Sequence, residues 1–325
     1  MKKIRACMVG NGGMASWHLN HLIAFEDIDL VGFCDLIPER AKGFSDKAGG
    51  GKCYTNFVEM YDEQKPDLVY ICVPPAEHGA IELEAVKRGF DFFVEKPISS
   101  SIKTAEKIET AVKKAGTITA VGFQDRYLDI IELTKEYLKG REYGLVTGSW
   151  VGGMPGVAWW RTKGSGGQIV EQNIHIIDGL RYIIGEAASV YCSAGHGLMR
   201  GIENYEVDDF SSAVITFKNG VVASLLTGCY QQSGAYIQNG MTFYAKDATI
   251  EYSLRNFVRL RDANGIVERK TKIDQGITED RTFIDAVKTR DQSIVRSPYS
   301  DAIKSLRIAL ACNESIETGK VITLD

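Results

Sequence analysis

Apolar positions along the first 120 residues fall into short continuous runs rather than alternating ones. Strands are expected at Ile4–Gly10, Leu30–Asp35, Leu68–Val73, Phe92–Glu95 and Ile118–Phe123, with a weaker one at Cys53–Phe57. Between them lie helical patterns at Gly12–Phe25, Pro38–Ala48, Val58–Gln64, Glu77–Arg88 and Ser101–Ala115. Pro38 sits where a first helical turn tolerates a missing N–H, and Gly89 and Gly116 stand where helices close. Strands apolar on both faces, each followed by a helix, predict a parallel sheet covered on both sides. This is the doubly wound α/β architecture.

Past Arg126 the period changes. A helix over Asp129–Lys139 precedes alternating segments at Thr147–Gly152, Val190–Ala194, Met241–Ala245, Thr249–Tyr252, Val258–Arg261 and Gly265–Arg269. Phe210–Lys218 and Val221–Gly228 flank Asn219-Gly220, which predicts a hairpin with a type I′ turn. Further helices are expected at Gln172–Ile184, Glu279–Thr289 and Ser300–Thr318. Successive strands with few helices predict an α+β domain with a large, mainly antiparallel open sheet. The chain therefore divides into residues 1–123 and 124–325, joined directly, which suits a ligand cleft between the two. Helices can cover only one face of such a sheet, so a homodimer or homotetramer is expected.

Composition narrows the classes. Of 325 residues 44% are hydrophobic and 25% charged, and the net charge is −4, an ordinary globular balance without attraction to nucleic acid or anionic lipid. No apolar run approaches ~18 residues, so no membrane span is expected. Met1-Lys2-Lys3-Ile4-Arg5 runs straight into a strand, which predicts a cytoplasmic protein. The seven cysteines form no C-x-x-C pair and read as buried reduced thiols.

The chemistry begins after the first strand. In Val9-Gly10-Asn11-Gly12-Gly13-Met14-Ala15, Gly10 permits a tight turn, Gly12 lets backbone approach a pyrophosphate, and Ala15 replaces the third glycine of a dinucleotide-binding loop. Gly13 and Met14 open the helix whose free N–H groups face the phosphates. Asp35 ends the second strand, where a carboxylate binds the adenosine ribose hydroxyls and repels a 2′-phosphate. NAD is therefore expected, with NADP disfavoured. Pro74, His78, Glu95 and Lys96 follow the carboxyl ends of later strands and are expected at the cofactor, although His78 equally suits a helix cap. His18 and His21 could be pictured as a metal pair, but no third ligand is evident; packing is expected, and no metal.

A second constellation lies in Gly166-Gly167-Gln168-Ile169-Val170-Glu171-Gln172-Asn173-Ile174-His175-Ile176-Ile177-Asp178. On one continuous helix, Glu171, His175 and Asp178 would share a face. Arg126 opens the second domain and is expected to face the cleft. Trp160, beside Trp159 and Arg161, suits a sugar ring as well as it suits a core.

The glycine loop, Glu95-Lys96-Pro97, Gly122-Phe123, the glycine-rich entry to the histidine segment and Ser297-Pro298-Tyr299-Ser300-Asp301-Ala302 together resemble the family of glucose–fructose oxidoreductase, inositol dehydrogenase and the rhizopine-catabolism proteins (Gfo/Idh/MocA) over nearly the whole chain. The resemblance implies an NAD-dependent oxidoreductase acting on a sugar, sugar derivative or cyclic polyol. It implies that His175 is the general base, that Lys96 lies between nicotinamide and substrate hydroxyl, and that Asp178 binds substrate hydroxyls. Many relatives carry Asp where this chain has Glu171, which would orient the imidazole with a longer reach. Two alternatives stand beside this reading: a glycosidase that oxidises its substrate transiently on bound NAD, and a non-catalytic nucleotide-sensing regulator. The intact Lys96 and His175 favour the dehydrogenase.

Overall fold

The computed structural model describes residues 3–235 and 237–324, which form two compact units. The first comprises residues 3–124 and 274–303, and the second residues 125–235, 237–273 and 304–324.

In the first unit the chain runs β1 (Ile4–Val9), α1 (Gly13–Leu22), β2 (Ile28–Cys34), α2 (Pro38–Ala48), β3 (Lys52–Tyr54), α3 (Phe57–Gln64), β4 (Leu68–Ile71), α4 (Ala80–Lys87), β5 (Asp91–Val94), α5 (Ile102–Ala115) and β6 (Thr119–Val121). The six strands pair in parallel in the order β3-β2-β1-β4-β5-β6. The order reverses at β1/β4, the place where doubly wound sheets hold their ligands. The helix expected from Glu77 is shorter: Pro75–Glu77 form one tight turn, and α4 starts only after Gly79, whose φ of +135° breaks the run.

The second unit contains α6 (Asp129–Leu138), β7 (Tyr143–Val151), α7 (Gly167–Glu171), α8 (Ile174–Ile184), β8 (Ala187–Gly195), β9 (Phe210–Phe217), β10 (Val222–Gly228), β11 (Gly240–Ala245), β12 (Ala248–Ser253), β13 (Phe257–Asp262) and β14 (Gly265–Lys270). The chain then forms α9 (Gln275–Thr289), α10 (Tyr299–Thr318) and β15 (Ile322–Thr323). The nine-stranded sheet has the order β14-β13-β12-β11-β7-β10-β9-β8-β15 and is antiparallel except where β7 meets β10. A Cβ at Gly148 would lie 2.8 Å from Ile176 and one at Gly179 3.0 Å from Met241, so these glycines let α8 sit close against the strands.

Two local expectations are corrected. The β9–β10 turn is not type I′: Gly220 has φ +90° but Asn219 is not left-handed, and the ladder closes with Phe217 N–H donating to Val221 O. That leaves a three-residue loop with its glycine in the left-handed position, the next commonest hairpin solution. The helix expected over Gln172–Ile184 is α8, starting two residues later, and a separate short helix, α7, precedes it across Gln172–Asn173, so the segment from Glu171 to Asp178 is not one continuous helix.

Helix α9 belongs with the first unit. Its Phe283, Ile284 and Val287 join Leu19, Leu22, Tyr70 and Phe93 in one core. Arg281 and Lys288 both bond to Asp27, and the Arg281 bond, with that of Lys288, overcomes partial burial to hold the Asp27 carboxyl down at about 2.

Candidate functional site

In the first unit the glycine loop spans the end of β1 and the start of α1. Gly10 has φ +80°, and a Cβ there would lie 2.3 Å from Cys72 O, so no other residue fits without moving β4. Gly12 and Gly13 have nothing within 4 Å of a Cβ, and α1 has no side-chain cap at Gly12. The first N–H groups and positive dipole end of α1 thus have no side-chain cap, and the backbone beside them is unobstructed. Met14 is exposed. Asp35 Oδ2 accepts from Asn11 N–H at 2.7 Å and Oδ1 from Ile37 N–H at 2.9 Å, which ties the β2 carboxylate to the loop.

Two polar groups near these strand ends have no partner among the described residues. Asn11 is 3% exposed, and both its Oδ1 and Nδ2 are unbonded. Buried His78 bonds through Nδ1 to Glu82 but leaves Nε2 unbonded. Buried polar atoms without partners are costly and point to a missing ligand. With the open glycines and the uncapped helix they fit a dinucleotide pyrophosphate and its neighbouring groups. Pro74 is half-buried just before the tight turn that leads to His78.

At the end of β5, Glu95 is buried and Lys96 is half-buried. Glu95 N–H donates to Ile71 O at 2.9 Å, and its Oε2 accepts from Lys96 N–H at 3.1 Å. The Lys96–Pro97 peptide is cis. A Cβ at Gly122 would lie 2.5 Å from Glu95 Oε1, so that glycine makes room for the carboxylate.

In the second unit His175 is 5% exposed, on the first turn of α8. Its ring stacks on Trp150 of β7 at 5.5 Å and 22°, and its Nδ1 is 3.5 Å from Asp125 Oδ2. Asp125 is held by Arg255, whose Nε and Nη2 donate at 2.8 and 3.0 Å, and by the Tyr252 hydroxyl at 3.0 Å. Burial, reinforced by the Asp125 charge, pushes the Tyr252 phenol far above its ordinary range, so it stays a donor. The Arg255 guanidinium also lies 5.5 Å over the Trp150 ring. Arg255 adopts φ +57° in the β12–β13 turn, an uncommon conformation for a side chain of its size.

Asp178, 1% exposed, accepts two bonds from Arg126 at 2.6 and 2.7 Å and one from Ser305 Oγ at 2.6 Å. Arg126 also packs over Tyr182 at 4.9 Å. Glu171, at the end of α7, accepts from Trp160 Nε1–H at 3.1 Å, and Trp160 is fully buried with Val207 and Cys229. The bend at Gln172–Asn173 corrects the expected shared face: Glu171 ends one helix while His175 and Asp178 start the next.

Comparison with known proteins now decides the family. The oxidoreductase family with an NAD-binding Rossmann fold, GFO/IDH/MocA, matches residues 4–123, and the GFO/IDH/MocA C-terminal domain matches residues 143–251. This chain belongs to the GFO/IDH/MocA family. It is an NAD-binding oxidoreductase of the dehydrogenase kind. The scyllo-inositol 2-dehydrogenase (NAD(+)) of Bacillus subtilis is 24% identical over 346 residues, covering 99% of this chain and 97% of that protein. The D-glucoside 3-dehydrogenase of Escherichia coli is 25% identical over 244 residues, 69% of this chain and 70% of that one. The solved myo-inositol 2-dehydrogenase of Lactobacillus plantarum shares the fold, with a TM-score of 0.84 at 23% identity over the full length of both chains.

Against this family background, the structure brings Asp35 to the glycine loop, Glu95 to Lys96, Arg126 to Asp178 and Trp160 to Glu171. Sequence reasoning missed Asn11, Asp125, Tyr252 and Arg255. Asp125 had a signal in its place just past the last parallel strand. Arg255 had none, because only the fold carries residue 255 back to residue 125. His18 and His21 do not stand alone: Asp280 of α9 joins them as a third group that the sequence did not reveal.

Proposed function

We propose that this protein is an NAD-dependent dehydrogenase or reductase that moves a hydride between nicotinamide and a hydroxyl-bearing carbon of a sugar, sugar derivative or cyclic polyol. Bound NAD supplies the hydride acceptor at nicotinamide C4. His175 takes the hydroxyl proton. Asp125 faces Nδ1, orients the ring and leaves Nε2 to act as the base, with Arg255 and Tyr252 holding that carboxylate in turn. The Lys96 ammonium stabilises the developing alkoxide. Gly10, Gly12, Gly13 and Met14 seat the pyrophosphate, Asp35 binds the adenosine ribose, and Pro74, His78 and Glu95 line the cofactor side. Arg126, Asp178 and Glu171 shape the substrate side, with Trp160 holding Glu171. The single observation that carries the reading is the buried His175–Asp125 pair, stacked on Trp150, in a chain whose first domain is an NAD-binding fold. The relatives named for inositol and glucoside oxidation support the substrate class.

His175→Ala is expected to lower turnover by about 100-fold or more while changing NAD affinity little, the signature of a lost general base. Steady-state kinetics and NAD titration on the same preparations check this. Equal loss of both would remove the base assignment.

A further inference from the structure

In the first unit, the end of β5 that carries Glu95 and Lys96 leads back into the core. His18, on α1, is 0% exposed, and both of its ring nitrogens meet carboxylates: Nδ1 lies 2.7 Å from Asp280 Oδ1 and Nε2 3.0 Å from Glu95 Oε1. His21 Nδ1 lies 2.7 Å from the other Asp280 oxygen. A carboxylate only accepts, so a ring bonded to two of them donates from both nitrogens and is an imidazolium. Burial opposes that charge, but Asp280 and then Glu95 outweigh it and raise the His18 pKa to about 10. Burial likewise opposes ionisation of Asp280, yet the His18 charge and the two imidazole bonds hold its carboxyl below the usual range.

The contact lengths suit protons rather than a cation. Two donors each ~2.1 Å from a tetrahedral ion lie roughly 3.4 Å apart. The His–Asp280 contacts are shorter and match charge-assisted hydrogen bonds. Phe93 packs against the His18 ring at 4.7 Å and Tyr70 at 5.5 Å, so the ring cannot swing away. Gly276 allows α9 to come close: a Cβ there would lie 2.2 Å from Trp17 and 2.6 Å from His21. Buried ionic groups seldom add net stability over apolar packing, so this one calls for another use. It ends on Glu95, whose second oxygen receives the Lys96 N–H.

We propose that His18 is a positioning residue for Lys96: bonded to α9 through Asp280, it fixes Glu95, and Glu95 fixes the backbone from which the Lys96 side chain projects. The inference rests on the reading of Lys96 given above. The test does not need a known substrate. Wild type, His18→Gln, Glu95→Gln and His21→Gln would be reductively 13C-methylated, and the Lys96 methyl signal, assigned with Lys96→Arg, recorded with and without NAD. His18→Gln and Glu95→Gln are expected to move that signal by a similar amount, and together no further than either alone. His21→Gln, which removes only a second bond to Asp280, should leave it in place even where it lowers the melting temperature. Should His18→Gln not fold, Glu95→Gln tests the same link from the strand side. An unchanged Lys96 signal in Glu95→Gln or in a folded His18→Gln would overturn the proposal, as would a stoichiometric metal ion in the purified protein. Where a sugar or inositol is turned over, kcat should fall with His18→Gln by about tenfold or more, with little change in NAD affinity. If Lys96→Ala instead keeps full activity, the Lys96 assignment fails while the methyl signals still decide whether His18 sets its position.

Discussion

At the scale of single residues, we propose that Asp35 carries the cofactor preference, through a carboxylate that accepts from the Asn11 and Ile37 N–H groups. Its replacement by Ala removes charged hydrogen bonds worth about 1.5–3 kcal/mol each, so NAD affinity should fall at least about tenfold while NADP affinity falls less. Paired NAD and NADP titrations check this. The place of Asp35 beside the glycine loop was legible because the acid belongs to a local strand–loop–helix pattern. His18 was not, because its partners lie far away in sequence and a histidine on an apolar helix face looks like packing. The bond to Asp280 also gives a pH signature. With the folded pKa raised from 6.5 to about 10, the His18 contribution to stability is complete below about pH 6.5 and is lost as pH rises through about 10. The charged or polar groups facing the ring are Asp280 from α9, Glu95 from the end of β5, His21 from α1 itself and Tyr70 from β4. Denaturation from pH 6 to 10 should therefore show a decline that is absent in His18→Gln; parallel profiles would contradict the ion pair.

At the scale of elements, the parallel strands and their helices were visible in the apolar runs, because a strand covered on both faces has no polar phase to confuse. The breaks were not. Gln172-Asn173 ends α7 without glycine or proline, and Asn173 at the bend bonds through Nδ2–H to Thr227 Oγ1, a tertiary contact that no local pattern announces. Helix α9 was read four residues too short because its start depends on a cap. Asp274 accepts from Gly276 and Ile277 N–H at 2.9 and 3.0 Å. Asp274→Ala should cost about 1 kcal/mol of unfolding free energy by chemical denaturation. No loss would mean that packing on α1 alone positions the helix.

For the whole molecule, hydropathy showed two architectures but not that residues 274–303 return to the first unit, since that depends on Asp280 and Phe283 finding α1. Among the described residues no helix is long and apolar enough to cross a membrane. The nine-stranded sheet keeps Leu145, Tyr191, Val214, Leu226 and Tyr244 more than 40% exposed in the single chain, and in register Tyr191 faces Val214 and Leu145 faces Tyr244. We propose that a second copy covers this face. Light scattering should give a dimer or larger assembly, and Leu226→Asp should shift it toward the monomer; a monomeric wild type would refute this.

The most direct test of the oxidoreductase chemistry is reduced-nicotinamide absorbance, with NAD and a panel of sugars, inositols and glycosides, in wild type beside Lys96→Ala and His175→Ala. Steady NADH formation on at least one polyol or sugar, lost in both variants while NAD still binds, is the expected result. Cleavage of a glycoside without net NADH, or full activity in either variant, would contradict it.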